Sequence, residues 1–457
     1  MKSVLVRVEA LAAADAAGTF VSPACLLMEC APDRPARVVA VDSPAQLAAH
    51  PDYAASPAIS LPDSVLLPGL VNAHCHLDLT LVGPRPFDAA AGFVGWIDMI
   101  RRSRTAREGE IARAVRRGVE LSLEAGTVAV GDILGFAGGW PGARAEAWGT
   151  LRTSPLGGRG FLEFFAIGPR ARAASEAMDR DVRLLPPGTE RMRLGVQPHA
   201  PYSVSPDGYV RAAEIAAALG LDLATHLAES SEEHEFVARG TGPLRTFLDS
   251  MGLMDEPTEA GFVMGRTPTE HLESVLPGLP LLLAHVNDAS EADLERLGRG
   301  RARVVYCPRA SAYFGHARSL GRHRYREMRG AGVTVALGTD SIVNLPRPAT
   351  ESGSGGFGVL AEMRWLFARD GTDPMELLHM GTMSGAAALG LDPSLFILSP
   401  GHGLAGLLSV RVSEPIGGHA FPNVQGAMSA VLKSDQPPRL LFCWNGYDLA
   451  ARAMTIG

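Results

Sequence analysis

The segment VNAHCHLDLT (71–80) places two histidines one residue apart at the end of an apolar run. On a β-strand, residues i and i+2 point to the same side, so His74 and His76 project together while Cys75 points away. Neutral imidazole nitrogens are common metal ligands, and such a pair is suited to that role. An isolated pair is equally typical of one buried and one solvated histidine in a turn, so the rest of the chain must decide.

Further polar residues end other short apolar runs of the chain, namely His199, His226, His285 and Asp340. Any one of them alone is typical of a hydrogen-bonded core residue, but their recurrence in equivalent places indicates a common site. Several imidazoles and one carboxylate, without a thiolate, suit Zn²⁺ or Fe²⁺. A catalytic metal also needs an open position for water, so the pattern leaves open which of these residues are ligands.

Glu229 follows His226 by three residues in the segment HLAE. At the turn that leaves a strand, its carboxyl can face the same cavity without binding the metal and can transfer protons there. The alternative is a charge at a helix N-terminus, favoured by the helix dipole, as we expect for Glu232, Glu233 and Glu235. We predict the catalytic role because Glu229 is the acid nearest to His226.

These residues need a set of strands that brings them together. Eight β-like runs alternate with helix-like stretches and cover residues 68–73, 126–133, 160–167, 193–200, 221–228, 279–286, 301–308 and 332–339. Apolar strands that alternate with helices predict an α/β fold with a parallel sheet. Eight units indicate a (β/α)8 TIM barrel, with a doubly wound open sheet as the alternative. Barrel enzymes carry their active sites at the carboxyl ends of the strands, where the polar residues above lie.

The two ends of the chain do not fit the barrel. Residues 1–67 read as short strands and turns, and so do the segments 407–413 and 436–446. We therefore expect a small β-sandwich domain formed by residues 1–67 and 399–457, flanking a barrel over 68–398.

Composition narrows the functional classes. Of the 457 residues, 46% are hydrophobic and 20% charged, as in soluble globular proteins, and no run approaches the roughly 18 apolar residues of a membrane span. No signal peptide is recognisable, so we expect a cytoplasmic protein without a membrane partner. The net charge of −7 gives no reason to expect nucleic acid as a partner. The five cysteines form no CxxC pair, which argues against a cysteine-based zinc site and excludes the zinc deaminases with a PCxxC signature.

The segments PGLVNAHCHLDL, QPHAPYSVS, THLAES, AHV and ALGTDS occur in this order over most of residues 65–400. Together they resemble the amidohydrolase superfamily. The similarity is greatest to its branch of adenosine-like deaminases, which act on S-adenosylhomocysteine, methylthioadenosine or aminodeoxyfutalosine. The resemblance implies one divalent metal, Zn²⁺ or Fe²⁺, bound by His74, His76, His226 and Asp340.

The resemblance also implies roles for the other polar residues. His285 and Asp340 would hold and deprotonate the water, Glu229 would pass protons to the substrate ring, and His199 would contact the substrate. Two-metal members of the superfamily bridge their metals with a carbamylated lysine. Lysine occurs here only at positions 2 and 433, so one metal per chain is expected.

The substrate side is less defined, because YCPRASAYFGH and SIVNLPRPATESGSGG depart from the pattern of the family. Arg309, Tyr313 and His316 are candidate contacts in the first of these segments. Phe93 and Trp96, in the loop after the first strand, are candidates for stacking on a flat ring, with ordinary core packing as the alternative.

Three hypotheses follow. The first is a metal-dependent hydrolytic deaminase of an aminopurine nucleoside or similar heterocycle, with a small molecule as its partner. The second is a hydrolase of the same superfamily with another leaving group, from a cyclic amide or a halogenated triazine. The third is a catalytically silent barrel, which the intact polar cluster disfavours. The oligomeric state stays open, with a homodimer among the alternatives.

Overall fold

The structure of this chain, a computed structural model, describes residues 2–104, 107–135, 142–262, 264–345, 356–412 and 421–445. The described residues form sixteen strands: β1 Lys2–Ala12, β2 Phe20–Val21, β3 Ala24–Ala31, β4 Arg34–Asp42, β5 Ala58–Pro68, β6 Leu70–Cys75, β7 Thr127–Leu134, β8 Gly157–Phe164, β9 Met192–Pro198, β10 Asp222–Leu227, β11 Leu282–His285, β12 Arg303–Tyr306, β13 Thr334–Leu337, β14 Gly403–Leu404, β15 Gly406–Arg411 and β16 Pro438–Cys443.

The same residues form four short 3-10 helices and eighteen α-helices: α1 Pro44–Leu47, α2 Gly92–Ser103, α3 Glu110–Glu124, α4 Ala143–Arg152, α5 Ala171–Leu184, α6 Pro206–Leu219, α7 Ser231–Arg239, α8 Gly242–Ser250, α9 Glu256–Ala260, α10 Pro268–Val275, α11 Glu291–Arg299, α12 Pro308–Phe314, α13 His316–Ser319, α14 Tyr325–Gly330, α15 Val359–Asp370, α16 Pro374–Met380, α17 Met383–Ala388 and α18 Val424–Lys433. None of these helices combines the length and the apolarity needed to cross a membrane.

Strands β6 to β13 form a parallel sheet in which each strand pairs with its neighbours in the chain. Each strand overlaps one of the eight predicted runs, and the predicted barrel is confirmed. All residues of β7 and β8 are buried, as expected for strands with helices on one side and the barrel interior on the other.

The barrel closes between β13 and β6, at the carboxyl ends of both strands. A parallel bridge joins Cys75 and Asp340. The His74 carbonyl accepts hydrogen bonds from the backbone N–H groups of Thr339 and Asp340, both at 3.1 Å. The side-chain amide nitrogen of Asn72 donates to the Thr339 hydroxyl at 2.8 Å, and the side-chain oxygen of Asn72 accepts from the Thr339 backbone N–H at 3.0 Å. The first and eighth strands are therefore tied together beside His74.

Strands from both chain ends form a second sheet, in the order β14-β4-β3-β1-β5-β15-β16 with β2 paired to β1. Strand β1 runs parallel to β5, and the other pairs are antiparallel. The prediction of a small β domain assembled from both chain ends is confirmed. We propose residues 1–67 and 399–457 as the limits of this domain and 68–398 as those of the barrel.

Local capping signals place the helices directly after the strands. Helix α6 begins after Ser205, whose hydroxyl accepts from the Gly208 N–H at 3.3 Å, and it ends at Gly220 with φ 64°. Helix α11 begins with a capping box. The Ser290 hydroxyl accepts from the Asp293 N–H at 3.1 Å, and the Asp293 carboxylate accepts from the Ser290 N–H at 3.0 Å. These bonds satisfy N–H groups that a first helical turn leaves unpaired.

Trp444, directly after β16, joins the terminal sheet to the barrel. Its indole N–H donates to the Val128 carbonyl at 3.0 Å, and its backbone N–H donates to the Ala405 carbonyl at 2.6 Å. The ring lies against Gly157, where an added methyl group would be 1.9 Å from it. The buried tryptophan therefore fills a space that only a glycine opposite leaves open.

Replacing Trp444 by alanine should lower the free energy of unfolding by about 3–5 kcal/mol, the usual cost of deleting a large buried aromatic side chain. Urea denaturation followed by circular dichroism measures this loss. The half-buried Trp365 on α15 provides the control, and Trp365→Ala should cost clearly less. Equal losses in the two variants would contradict a special role for Trp444.

Candidate active site

The predicted site residues gather at the carboxyl ends of the barrel strands. Their places are as follows: His74 in β6 with His76 directly after it, His199 directly after β9, His226 in β10 with Glu229 shortly after it, His285 at the end of β11, and Asp340 shortly after β13. All of these side chains are buried except that of His199, which is partly exposed.

Two histidines and the aspartate of the barrel closure face one another. The Oδ1 atom of Asp340 lies 3.7 Å from His74 Nε2 and 3.4 Å from His76 Nε2. The two imidazole rings meet edge to face with their centroids 5.1 Å apart, as the i and i+2 positions predict. Cys75 points away from them, and its thiol lies 3.8 Å from the carboxylate of Asp132.

His226 brings a third imidazole to this group. Its Nε2 lies 3.4 Å from His76 Nε2. Its Nδ1 lies 3.0 Å from the backbone carbonyl of His199. Because a carbonyl oxygen can only accept, this contact favours the tautomer with the proton on Nδ1 and a free lone pair on Nε2.

This group has the donor set of a divalent-cation site. The ligand atoms of His74, His76 and Asp340 lie within 4.8 Å of one another. Burial lowers the pKa of His74 and His76 well below the usual range and that of His226 to about 4, so the imidazoles are neutral. The buried His74 Nε2 has no hydrogen-bond partner, an arrangement that costs free energy unless a ligand satisfies it. We propose that His74, His76, His226 and Asp340 hold one divalent cation.

Asn344 orients Asp340 for this role. Its side-chain amide donates to Asp340 Oδ2 at 2.5 Å, which leaves Oδ1 facing the histidines. Burial raises the pKa of Asp340 to about 7, and the bond from Asn344 opposes that rise. A bound cation would favour the ionised form. The rest of this Gly/Ser-rich loop, residues 346–355, lies outside the described residues.

Glu229 and His285 lie beside the proposed ligands. Glu229 Oε1 is 3.6 Å from His285 Nε2, and both side chains share a group of potential ligand atoms with Asp340. Burial raises the pKa of Glu229 well above its usual range, and the charge of Asp340 raises it further. Burial lowers the pKa of His285. Burial therefore favours the protonated form of the Glu229 carboxyl and the neutral form of the His285 imidazole.

The backbone of the site is strained at the strand ends. Four non-glycine residues have positive φ angles there: Ala228 at 49°, His285 at 75°, Val286 at 50° and Asp340 at 57°. Such conformations cost on the order of 1–3 kcal/mol each and persist where the surrounding structure holds them. One such restraint is the 2.9 Å hydrogen bond from the Val286 N–H to the Leu227 carbonyl. Nothing in the residue types reveals this strain.

A cavity of about 860 Å³ opens on the cluster. Trp96 lines it and stacks on Phe93, with the ring centroids 5.9 Å apart. His199 also lines it, and its Nδ1 lies 2.6 Å from the Ser203 hydroxyl. Two of the predicted substrate contacts, Trp96 and His199, thus lie on the wall of the cavity, and so does Phe93, the other candidate for stacking on a flat ring.

Arg309, the third predicted substrate contact, lies elsewhere. Its side chain donates to one Glu362 oxygen at 2.6 Å and its backbone N–H donates to the other at 2.9 Å. It is buried and is absent from the described residues that line the cavity, as are Tyr313 and His316. The prediction is corrected, because the first turn of α12 directs this guanidinium towards α15, where it forms a buried ion pair.

Two buried acids of the site were not predicted. Glu163, within β8, has Oε1 3.9 Å from His199 Nε2 and 4.0 Å from His226 Nδ1, and burial raises its pKa to about 7. Asp132, within β7, accepts from the Leu77 N–H at 2.8 Å and fixes the turn after the first strand. Their signal in the sequence is a single acid within each of the apolar runs GFLEFFAI and GTVAVGDI.

Comparison with known proteins identifies the family. The sequence profile of the Amidohydrolase family matches residues 65–401, well over half of the chain. The chain belongs to the amidohydrolase family. As a member of it, the chain is a hydrolase that acts on carbon–nitrogen bonds other than peptide bonds, and the resemblance noted in the sequence is confirmed.

Individual relatives of this amidohydrolase are deaminases. The aminodeoxyfutalosine deaminase of Deinococcus radiodurans is 31% identical over 332 residues, which cover 68% of this chain and 72% of that protein. The 5-methylthioadenosine/S-adenosylhomocysteine deaminase of Moorella thermoacetica is 28% identical over 382 residues, covering 81% and 78%. The crystal structure of Helicobacter pylori aminofutalosine deaminase in complex with methylthio-coformycin superimposes with a TM-score of 0.72 at 20% identity, covering 97% of this chain and 98% of that one. This last likeness shows the shared fold.

Removing a proposed ligand should remove the metal. We expect about one divalent metal per chain in the purified protein and well below one in His226→Ala and Asp340→Ala, because a catalytic site has few protein ligands to spare. His199→Ala is the control, since it lies beside His226 but contacts it through the backbone carbonyl, which the substitution keeps. Elemental analysis by mass spectrometry measures the content. Full occupancy in all three variants would contradict the assignment.

Proposed function

We propose that this amidohydrolase is a metal-dependent deaminase that replaces the exocyclic amino group of an adenosine-like nucleoside with oxygen and releases ammonia. Relatives that share 28–31% of aligned residues are named as deaminases of such nucleosides. The observation that carries the proposal is the buried carboxyl of Glu229 beside the proposed ligands. Deamination of a heterocycle needs an acid next to the ring, whereas opening a cyclic amide does not need it in the same way.

Glu229 has the properties of that acid. Burial raises its pKa well above the usual range and so favours the protonated form, and we propose that it donates to the ring nitrogen adjacent to the carbon that bears the amino group. The attacking water loses its proton to Asp340 or His285, which face the same space. Glu229, ionised by the first transfer, then takes the proton of the added hydroxyl and passes it to the amino group as the carbon–nitrogen bond breaks. The proton held by Asp340 or His285 afterwards returns to Glu229. Water and the aminated ring thus give the oxo product and ammonia.

Zn²⁺ is the cation that we propose for the four ligands, with Fe²⁺ as the alternative, because three neutral imidazoles and one carboxylate suit both. When bound, such a cation lowers the pKa of water towards roughly 7 and makes hydroxide available at neutral pH. The lack of lysine between residues 3 and 432 supports a single cation.

The cavity supports a substrate of nucleoside size. Its volume of about 860 Å³ lies within the range of roughly 300–1,000 Å³ that holds drug-sized ligands. Trp96 offers an aromatic wall for a flat ring, and His199 offers a ring nitrogen on the same wall. We propose that these two side chains contact the substrate.

Ammonia release should be measured with adenosine, methylthioadenosine, S-adenosylhomocysteine, aminodeoxyfutalosine, guanine and cytosine, together with metal content. We expect ammonia from at least one adenine nucleoside. Glu229→Gln should lower kcat by several orders of magnitude while metal content stays the same. Catalytic side chains that act together lose most of the rate when any one of them is removed. Glu235→Gln, on the neighbouring helix and away from the cavity, is the matched control.

The same assay separates the alternatives. A metal-loaded protein that releases no ammonia from any of these compounds would favour an amidohydrolase with another leaving group, such as a cyclic amide or halogenated triazine hydrolase. Full activity in Glu229→Gln would overturn the proton-transfer role of Glu229.

Charge in the cavity predicts a preference among the nucleosides. The described lining includes four arginines, Arg101, Arg104, Arg144 and Arg170. The first three form ion pairs with aspartates of the protein, so we propose Arg170 for a substrate carboxylate, which guanidinium groups bind strongly. S-adenosylhomocysteine and aminodeoxyfutalosine carry a carboxylate, whereas adenosine and methylthioadenosine do not. We expect kcat/KM to be higher for the first pair by about tenfold or more, the effect of one charge-assisted hydrogen bond of about 1.5 kcal/mol. Equal kcat/KM values would contradict this preference.

A further inference from the structure

Glu233 is a buried acid close to Glu229 that the mechanism above does not use. It lies in the first turn of α7, as expected for a charge at a helix N-terminus, and its side chain is completely buried. One carboxylate oxygen accepts from the backbone N–H of Ala228 at 3.0 Å, and the other accepts from the backbone N–H of Glu229 at 2.8 Å. The carboxylate therefore bonds the backbone of the site rather than facing solvent.

The Glu233 carboxylate bonds different backbone N–H groups from those that an ordinary capping box bonds. In a capping box the acid at the third helical position bonds the N–H of the capping residue, as Asp293 does with Ser290 at the start of α11. Glu233 occupies the equivalent position after Ser230, whose hydroxyl accepts from the Glu233 N–H at 3.2 Å. Its carboxylate passes the capping residue and bonds the two residues before it.

Glu229 is also held from the opposite side. The side-chain amide of Asn287 donates to the Glu229 carbonyl at 2.9 Å, and the Asn287 backbone N–H donates to the Ala228 carbonyl at 2.9 Å. Ala228 has a φ of 49°, a conformation that this residue type rarely adopts. The peptide that carries Glu229 is therefore fixed at its N–H and carbonyl groups in a strained conformation.

We propose that Glu233 is a positioning residue that holds the backbone of Glu229 and thereby sets its carboxyl 3.6 Å from His285. This inference rests on the proposed function, because it assigns a partner to the proton-transferring acid. Glutamine cannot replace Glu233, since its amide nitrogen would face one of the two N–H groups and leave it unpaired. A small displacement of a catalytic group costs about 100-fold in rate.

A double-mutant cycle tests the proposal. Glu233→Gln should lower kcat by about 10–100-fold and change KM and metal content little. In a Glu229→Gln background the same substitution should lower kcat by less than about twofold, because Glu233 acts through Glu229. Asp293→Asn is the control: it removes a buried capping carboxylate from α11, so it should lower the melting temperature but leave kcat unchanged. Equal losses of kcat in both backgrounds, or an unchanged kcat in folded Glu233→Gln, would overturn the proposal.

A second readout does not depend on turnover. Hydrogen exchange should become faster at the amides of Ala228 and Glu229 in Glu233→Gln, by about tenfold or more, and should stay unchanged there in Asp293→Asn. Unchanged exchange overturns the proposal even if no substrate is found, whereas faster exchange in a protein that releases no ammonia counts against the proposed function alone. If Glu233→Gln does not fold, Glu233→Asp takes its place in both measurements with the same expected outcomes, because the shorter side chain keeps the charge but does not reach both N–H groups.

Discussion

The pairing of the first and eighth barrel strands is the constraint on which the site depends. His74 and Asp340 are far apart in the chain, and they meet because the His74 carbonyl accepts from the backbone of Thr339 and Asp340. The same bonds bring the Asp340 carboxylate to the two imidazoles of the HCH segment. The backbone bonds that close the barrel therefore also bring the proposed ligands together, and the Asn72 side chain stabilises the same strand pairing.

Burial gives the polar groups of this site their chemical character. Removal from water disfavours the charged form of every group, so it lowers the pKa of the histidines and raises that of Glu229 and Asp340. Burial thereby favours free lone pairs on the histidines and the protonated form of Glu229. A divalent cation held by the proposed ligands would favour the ionised form of Asp340.

Much of the fold and of the cluster could be predicted, because both follow from simple periodicities. Alternation of apolar runs with helices gives the barrel, and polar residues at strand ends then share one edge. Arg309 failed this reasoning, because a residue in the first turn of a helix can face either the cavity or the neighbouring helix, and its partner Glu362 is distant in sequence. Glu163 was missed because a single acid within an apolar run has no periodicity, and the burial of Glu233 depends on backbone conformation that residue types do not show.

The order of strands in the terminal sheet has a consequence for biosynthesis. Strand β5 lies between β1 and β15, and β15 follows the whole barrel in the chain. During vectorial synthesis β5 therefore has an open edge until the ribosome has completed every barrel strand. Exposed edges of this kind recruit other chains. The strand that completes this sheet beside β5 is therefore among the last parts of the chain to be made.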